Sequence, residues 1–370
     1  MSVYICSILL LIILEIILNP QKNNLRKGIF IGIEFGYIII ISSLRSYEIG
    51  LDLKGHYYLA FIKYLNYSFN YLLRTSSYEP GYILFYKIIG IFTHNPQWMI
   101  AVHAIIVYSI IARFIYKYSD NPFCSILLFI ACNTWFTYLS MLRQSMAIVF
   151  ILLGIENIEK EKIKTIDYFK FFIWVIIASQ FHVTALFMLL YPIIKKLKFD
   201  KKTIIISLIF AVTVCLLSNK IFVIASKIIS TSKDYYSRYA NDKGTINLLS
   251  VYQLIIAGGC FLIGYITLIL RKKNTEKEAF PTSELMYLTL FLTATRIIRM
   301  QIPTIARVSE YLIPFTWILY PRAIENVKNK KERELIKFIF YTVLIVCYIY
   351  IGYTSAKMNY GTVPYKFFWK

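Results

Sequence analysis

I-W-V-I-I-A-S-Q-F-H-V-T-A-L-F-M-L-L-Y-P, residues Ile173 to Pro192, is apolar at nearly every position yet carries Gln180 and His182 at its centre. Burying such groups in lipid without partners is costly, so the polar break has to face protein or water. Each apolar half is shorter than the roughly 20 residues that a bilayer crossing needs. The stretch therefore predicts a broken helix or a tight hairpin with His182 at its tip.

The rest of the chain has the same apolar character. It contains 370 residues, 58% hydrophobic and 16% charged, with a mean hydropathy of +0.58. Soluble domains of this size do not reach that composition, so the chain reads as an all-α, polytopic transmembrane bundle, one integral membrane domain over residues 1–370. Apolar windows fall at 3–18, 28–44, 97–115, 122–140, 142–158, 168–180, 183–194, 203–217, 249–270, 284–300, 305–320 and 336–353. The first contains Glu15 and lacks a basic leader and a small-x-small cleavage site, so it is expected to be retained as a span.

The net charge of +21 lies in short lysine and arginine clusters between apolar windows. That pattern points to membrane orientation and away from nucleic acid, because cytoplasmic loops are enriched in such residues. Placing the clusters at Lys22/Lys27, Arg113/Lys117, Lys160/Lys164, Lys195–Lys202, Arg271/Lys273 and Arg322–Lys337 inside gives a path of about twelve crossings, given the length of a span. Both termini and the His182 tip are then outside. Outer loops are expected at about 45–96, 218–248 and 299–307, with a corner at 141–143. Within the first, Glu79 to Phe92 is too short to cross comfortably and reads as a juxtamembrane or re-entrant helix. The six cysteines lie in apolar runs without ligand spacing, so neither a disulfide nor a zinc site is expected.

Four polar groups stand out at the expected outer level. S-L-R-S-Y-E-I-G-L-D-L-K-G-H-Y-Y (43–58) carries Arg45, Asp52 and Tyr57, where a carboxylate can accept a proton and a guanidinium can grip phosphate; an ordinary solvated loop would look similar. M-L-R-Q-S-M-A (141–147) sets Arg143 and Gln144 at the start of an apolar helix. A cation gains nothing from the dipole there, which favours an anion-binding role over snorkelling. The third group is Gln180 with His182, where a satisfied core histidine is the bland alternative. The fourth, T-R-I-I-R-M-Q-I-P-T-I-A-R-V-S-E-Y (295–311), gathers Arg296, Arg299, Arg307 and Glu310 around one short turn, against the inside preference of arginine. No P-loop, G-x-S-x-G elbow, H-E-x-x-H or acidic D-x-D loop is present.

Taken in order, R-S-Y-E-I-G-L-D-L-K-G-H-Y, Y-E-P-G-Y, L-R-Q-S-M-A, S-Q-F-H-V-T-A-L and R-V-S-E-Y-L resemble the EpsG family of Wzy-type polysaccharide polymerases over roughly residues 1–355. The resemblance implies polymerisation of undecaprenyl-pyrophosphate-linked oligosaccharides, as donor and acceptor, into an O-antigen, exopolysaccharide or capsule. It places that activity on the extracytoplasmic side of a bacterial cytoplasmic (inner) membrane, with a flippase and a chain-length regulator as companions. It also implies a fold similar to the GT-C glycosyltransferases. Asp52 would then be the first-choice base and His182 the second. Arg45, Tyr57, Glu79, Arg143, Gln144, Gln180, Arg296, Arg299, Arg307 and Glu310 would bind pyrophosphate or sugar. No cofactor is expected; a divalent metal would have only Asp52 and Glu79 to hold it and is not favoured. The competing readings are a transporter or flippase of the same lipid-linked sugar and a membrane O-acyltransferase using His182.

Overall fold

Short polar punctuation starts four of the helices, at Asn23, Ser68, Asn95 and Asn121. Asn95-Pro96 and Asn121-Pro122 each place a side-chain acceptor just before a proline at the first helical position, where a missing N–H removes no intrahelical bond. Asn95 Oδ1 accepts from the Gln97 amide at 3.0 Å, and Asn121 Oδ1 from the Cys124 amide at 3.1 Å. Glu79-Pro80 opens a helix in the same way but without a side-chain cap, which leaves the Glu79 carboxylate for other partners.

The computed structural model describes residues 1–160, 162–197, 202, 203, 205, 206, 209, 213, 248–270, 280–300, 302–354 and 361–369. Nearly all of the expected outer loop 218–248, most of window 203–217 and the cluster at 271–273 lie outside these residues. Among the described residues all regular structure is helical, apart from one isolated antiparallel bridge between Arg45 and Phe367. They group into two compact units, Met1–Leu186 with Ile324–Lys370, and Phe187–Ala323.

In the first unit α1 (Ser2–Leu18) packs on α2 (Asn24–Ser43), and α2 packs on α6 (Pro96–Tyr118). Helix α9 (Leu142–Ile158) contacts both α6 and α10 (Thr165–Ser179). Between α2 and α6, the intervening segment forms a π-helical turn (Leu53–Tyr58) and three short helices, α3 (Leu59–Leu65), α4 (Phe69–Thr75) and α5 (Pro80–Phe92). The buried Glu34 carboxyl on α2 accepts the Ser7 hydroxyl of α1 at 2.6 Å, so it is not left without a partner. Arg113 of the expected inner cluster pairs with Glu156 at 2.9 Å, and Lys160 with Asp167 at 2.8 Å.

Two windows are not single helices. Residues 122–140 form α7 (Pro122–Ala131) and α8 (Thr134–Ser140), bent by 53° at Asn133, whose φ of 61° breaks the helical hydrogen-bond ladder. Residues 305–320 divide at Pro314 into short turns of helix followed by the helix Thr316–Glu325. The central stretch breaks as its polar residues require: α10 ends at Ser179, and a 3₁₀ segment Val183–Leu190 follows. Among the described residues three helices are long and apolar enough to cross a membrane, Pro96–Tyr118, Leu249–Ile266 and Lys330–Thr354, or four with the bent pair.

Candidate functional site

The first unit assembles its site on the π-helical turn, the start of α5, the start of α9 and the break after α10. A π-turn is rare and is found chiefly at functional positions. Here it buries Leu53 and Tyr57 and leaves Asp52 half-buried at its head. Gly50 makes the approach possible: it has φ 104°, and a Cβ there would lie 2.3 Å from the Leu139 carbonyl oxygen.

Arg143 is held by two distant motifs. Its Nη1 donates to Glu79 Oε2 at 2.6 Å, and its guanidinium lies over the Tyr78 ring, 4.6 Å from the centroid. Its charge also acts on the Tyr57 phenol. The other Glu79 oxygen accepts the Val183 amide at 3.4 Å, next to His182. Glu79 thus ties the start of α9 to the break in the central stretch. The Gly81 amide donates to the Gln180 carbonyl at 2.8 Å, and a Cβ on Gly81 would sit 2.7 Å from that same oxygen.

Asp52 acts electrostatically on both Tyr57 and Tyr78. Burial pushes both phenols above their usual pKa; for Tyr57 the Arg143 charge opposes this and Asp52 adds to it. The phenols therefore stay protonated and act as hydrogen-bond donors. Tyr57, Tyr78 and Tyr82 form a cluster with ring centroids 5.6 to 6.0 Å apart. His182 is nearly fully buried, and its Nδ1 stands 2.6 Å from the Thr184 hydroxyl and 3.4 Å from the Thr184 amide. An amide can only donate, so Nδ1 is an acceptor and the neutral ring carries its proton on Nε2. Gln144 is buried one residue beyond Arg143.

Arg45 is placed differently from its neighbours in sequence. It is fully buried, and residues Gly361–Trp369 lie along the backbone of residues 44–50. In the second unit, Arg296 Nη2 pairs with Glu310 Oε1 at 3.2 Å and its Nη1 donates to Gln253 Oε1 at 3.1 Å. Arg299 also donates to Gln253 Oε1, and Arg307 is half-buried on the short helix Ala306–Ser309.

Sequence reading missed Gln253, the acceptor shared by two arginines. A lone glutamine in the apolar run 249–270 was the available signal. It also missed Tyr78 and Tyr82, since tyrosine is too common in this chain to single out two. Among the described residues no three His, Cys, Asp or Glu side chains are grouped to hold a metal ion, and none of Cys6, Cys124, Cys132, Cys260 and Cys347 is in a disulfide.

An all-helical chain with membrane-length apolar helices and a buried cluster of arginine, carboxylate and phenol groups defines a membrane protein with an internal polar site. The EpsG family model matches residues 28–367, nearly the whole chain, and the protein belongs to this family of Wzy-like polymerases, glycosyltransferases of the polymerase type. Neither the curated proteins nor the solved structures include a match.

Proposed function

We propose that the protein joins undecaprenyl-pyrophosphate-linked oligosaccharide units into a surface polysaccharide at the extracytoplasmic face of a bacterial inner membrane. The observation that carries this reading is the Glu79 bridge: one carboxylate links Arg143 to the backbone beside His182, Tyr57 and Tyr78 lie by the same guanidinium, and Asp52 acts on both phenols. Four motifs, spread over residues 43 to 190, contribute to that one cluster.

In the proposed step a hydroxyl of the acceptor unit attacks the anomeric carbon of the donor. The new C–O bond forms as the bond to the diphosphate oxygen breaks, undecaprenyl pyrophosphate departs, and the hydroxyl proton passes to Asp52. A positioned base contributes about 10²–10⁴-fold. His182 is the second choice for this proton, because Thr184 already engages Nδ1. The leaving diphosphate needs cationic neutralisation more than a proton. Arg143 is the residue of this cluster that supplies it. Tyr57 and Tyr78 offer hydroxyls and ring faces to sugar. About twelve crossings and a GT-C-like architecture belong to the same reading.

Purified protein given defined lipid-linked repeat units should produce a ladder of longer glycans without nucleotide sugar or ATP. Asp52→Asn should lower the rate at least 10²-fold while lipid-linked substrate still binds. Polymer formation undiminished in Asp52→Asn would refute the assignment of the base, and a protein that only moves the lipid across vesicles would refute the polymerase reading itself.

A further inference from the structure

Among the described residues the Arg45 guanidinium is surrounded by phenols and has no acceptor. Its side chain is fully buried, and none of Nε, Nη1 and Nη2 has a hydrogen-bond partner. The four groups that act on its charge most strongly are the phenols of Tyr108, Tyr4, Tyr365 and Tyr82, and none is a carboxylate. Two of these hydroxyls are committed elsewhere: Tyr4 donates to the Thr362 carbonyl at 3.0 Å and Tyr365 to the Ile41 carbonyl at 2.6 Å. The Tyr82 and Tyr108 hydroxyls have no partner in hydrogen-bonding geometry; their polar neighbours Tyr86 and Ser42 stand outside it. His103, also within range of Arg45, points Nε2 at the Leu142 carbonyl, 3.1 Å away, and as a neutral ring brings no negative charge.

Arg45 and its neighbours therefore present three guanidinium nitrogens and two phenols, all able to donate. Arginine does not lose its proton in proteins, and a buried charge without a counter-charge is strongly unfavourable. The C-terminal segment closes over it: the Ser46 amide donates to the Lys366 carbonyl at 2.9 Å, the Phe368 amide to the Leu44 carbonyl at 3.0 Å, and Lys366 pairs with Glu48 at 2.7 Å.

We propose that Arg45, with Tyr82 and Tyr108, binds a small inorganic anion beneath the C-terminal segment. The anion is distinct from the substrate diphosphate and acts as a fixed counter-charge that joins the chain's end to residues 44–50. This goes beyond the polymerase reading and does not depend on it.

The test is thermal unfolding of the purified full-length protein in detergent, titrated with chloride or with inorganic phosphate against gluconate at constant ionic strength. The melting temperature should rise with one of the two small anions and saturate. Tyr108→Phe should move half-saturation upward by about tenfold, the effect of roughly 1.4 kcal/mol in binding, and Arg45→Gln should abolish the response. If Arg45→Gln does not fold, Tyr108→Phe alone decides. Three results would each overturn the proposal: no saturable response to either anion, a response unchanged in the variants, or stabilisation only by a short polyprenyl diphosphate, which would make Arg45 part of the donor site.

Discussion

Arg143 shows what a single residue contributes here. Its side chain is 13% exposed and that of Glu79 16%, so their contact is a mostly buried ion pair supported by the Tyr78 ring. Removing one partner strands a charge in a poorly solvated place. Glu79→Gln and Arg143→Met are each expected to cost about 3 kcal/mol in unfolding free energy. The double variant should cost less than the sum by about 1–3 kcal/mol. Denaturant unfolding of the four proteins in detergent completes the cycle, and strict additivity would show that the pair is not coupled. The sequence offered Glu79 and Arg143 as separate candidates for substrate; only their approach over 64 positions of sequence shows them satisfying each other.

At the level of elements, the C-terminal segment behaves as a short strap. It has no helical structure, lies along residues 44–50 through backbone hydrogen bonds, and is fastened at the surface by Lys366 and Glu48. The hydrogen bond from Lys366 and then its charge, with Lys54 assisting, hold the Glu48 carboxyl below its usual range. A carboxyl depressed in the folded state contributes stability that is complete above its unfolded value and is lost as pH falls through the folded one. Exchange protection of the Ser46 and Phe368 amides should therefore weaken, relative to other amides, as pH drops below about 4. Glu48→Gln should remove that pH dependence. Equal protection in both proteins across this range would mean that the backbone contacts suffice without the ion pair. Nothing in the apolar and basic pattern of the last residues signalled this pairing.

For the whole molecule, orientation is the property that joins topology to function. If the basic clusters lie in the cytoplasm, the loop between α5 and α6 is outside and the connection between α9 and α10 inside. His94 and Lys162 are exposed at these two places. His94→Cys should react with a membrane-impermeant maleimide in intact cells, whereas Lys162→Cys should react only after permeabilisation. Labelling of both from one side would break the alternation on which the outward site depends.

Sequence alone determined the helical membrane class, because apolar composition and run length answer directly to the bilayer. It set two helix starts through the pairs Asn95-Pro96 and Asn121-Pro122, and it located the break at Gln180 and His182, since polar groups inside an apolar run need partners. It also supplied the ordered motifs that resemble the family whose model matches residues 28–367. Tertiary structure decided which candidates share a site. Arg45 and Asp52 are seven residues apart, yet Arg45 is sealed beneath the chain's end while Asp52 stands with Tyr57 near Arg143. Arg296 found Glu310 and Gln253 by folding. The reason is that hydropathy and capping act over a few neighbours, whereas the partner of a buried charge is fixed by the packing of segments far apart in the chain.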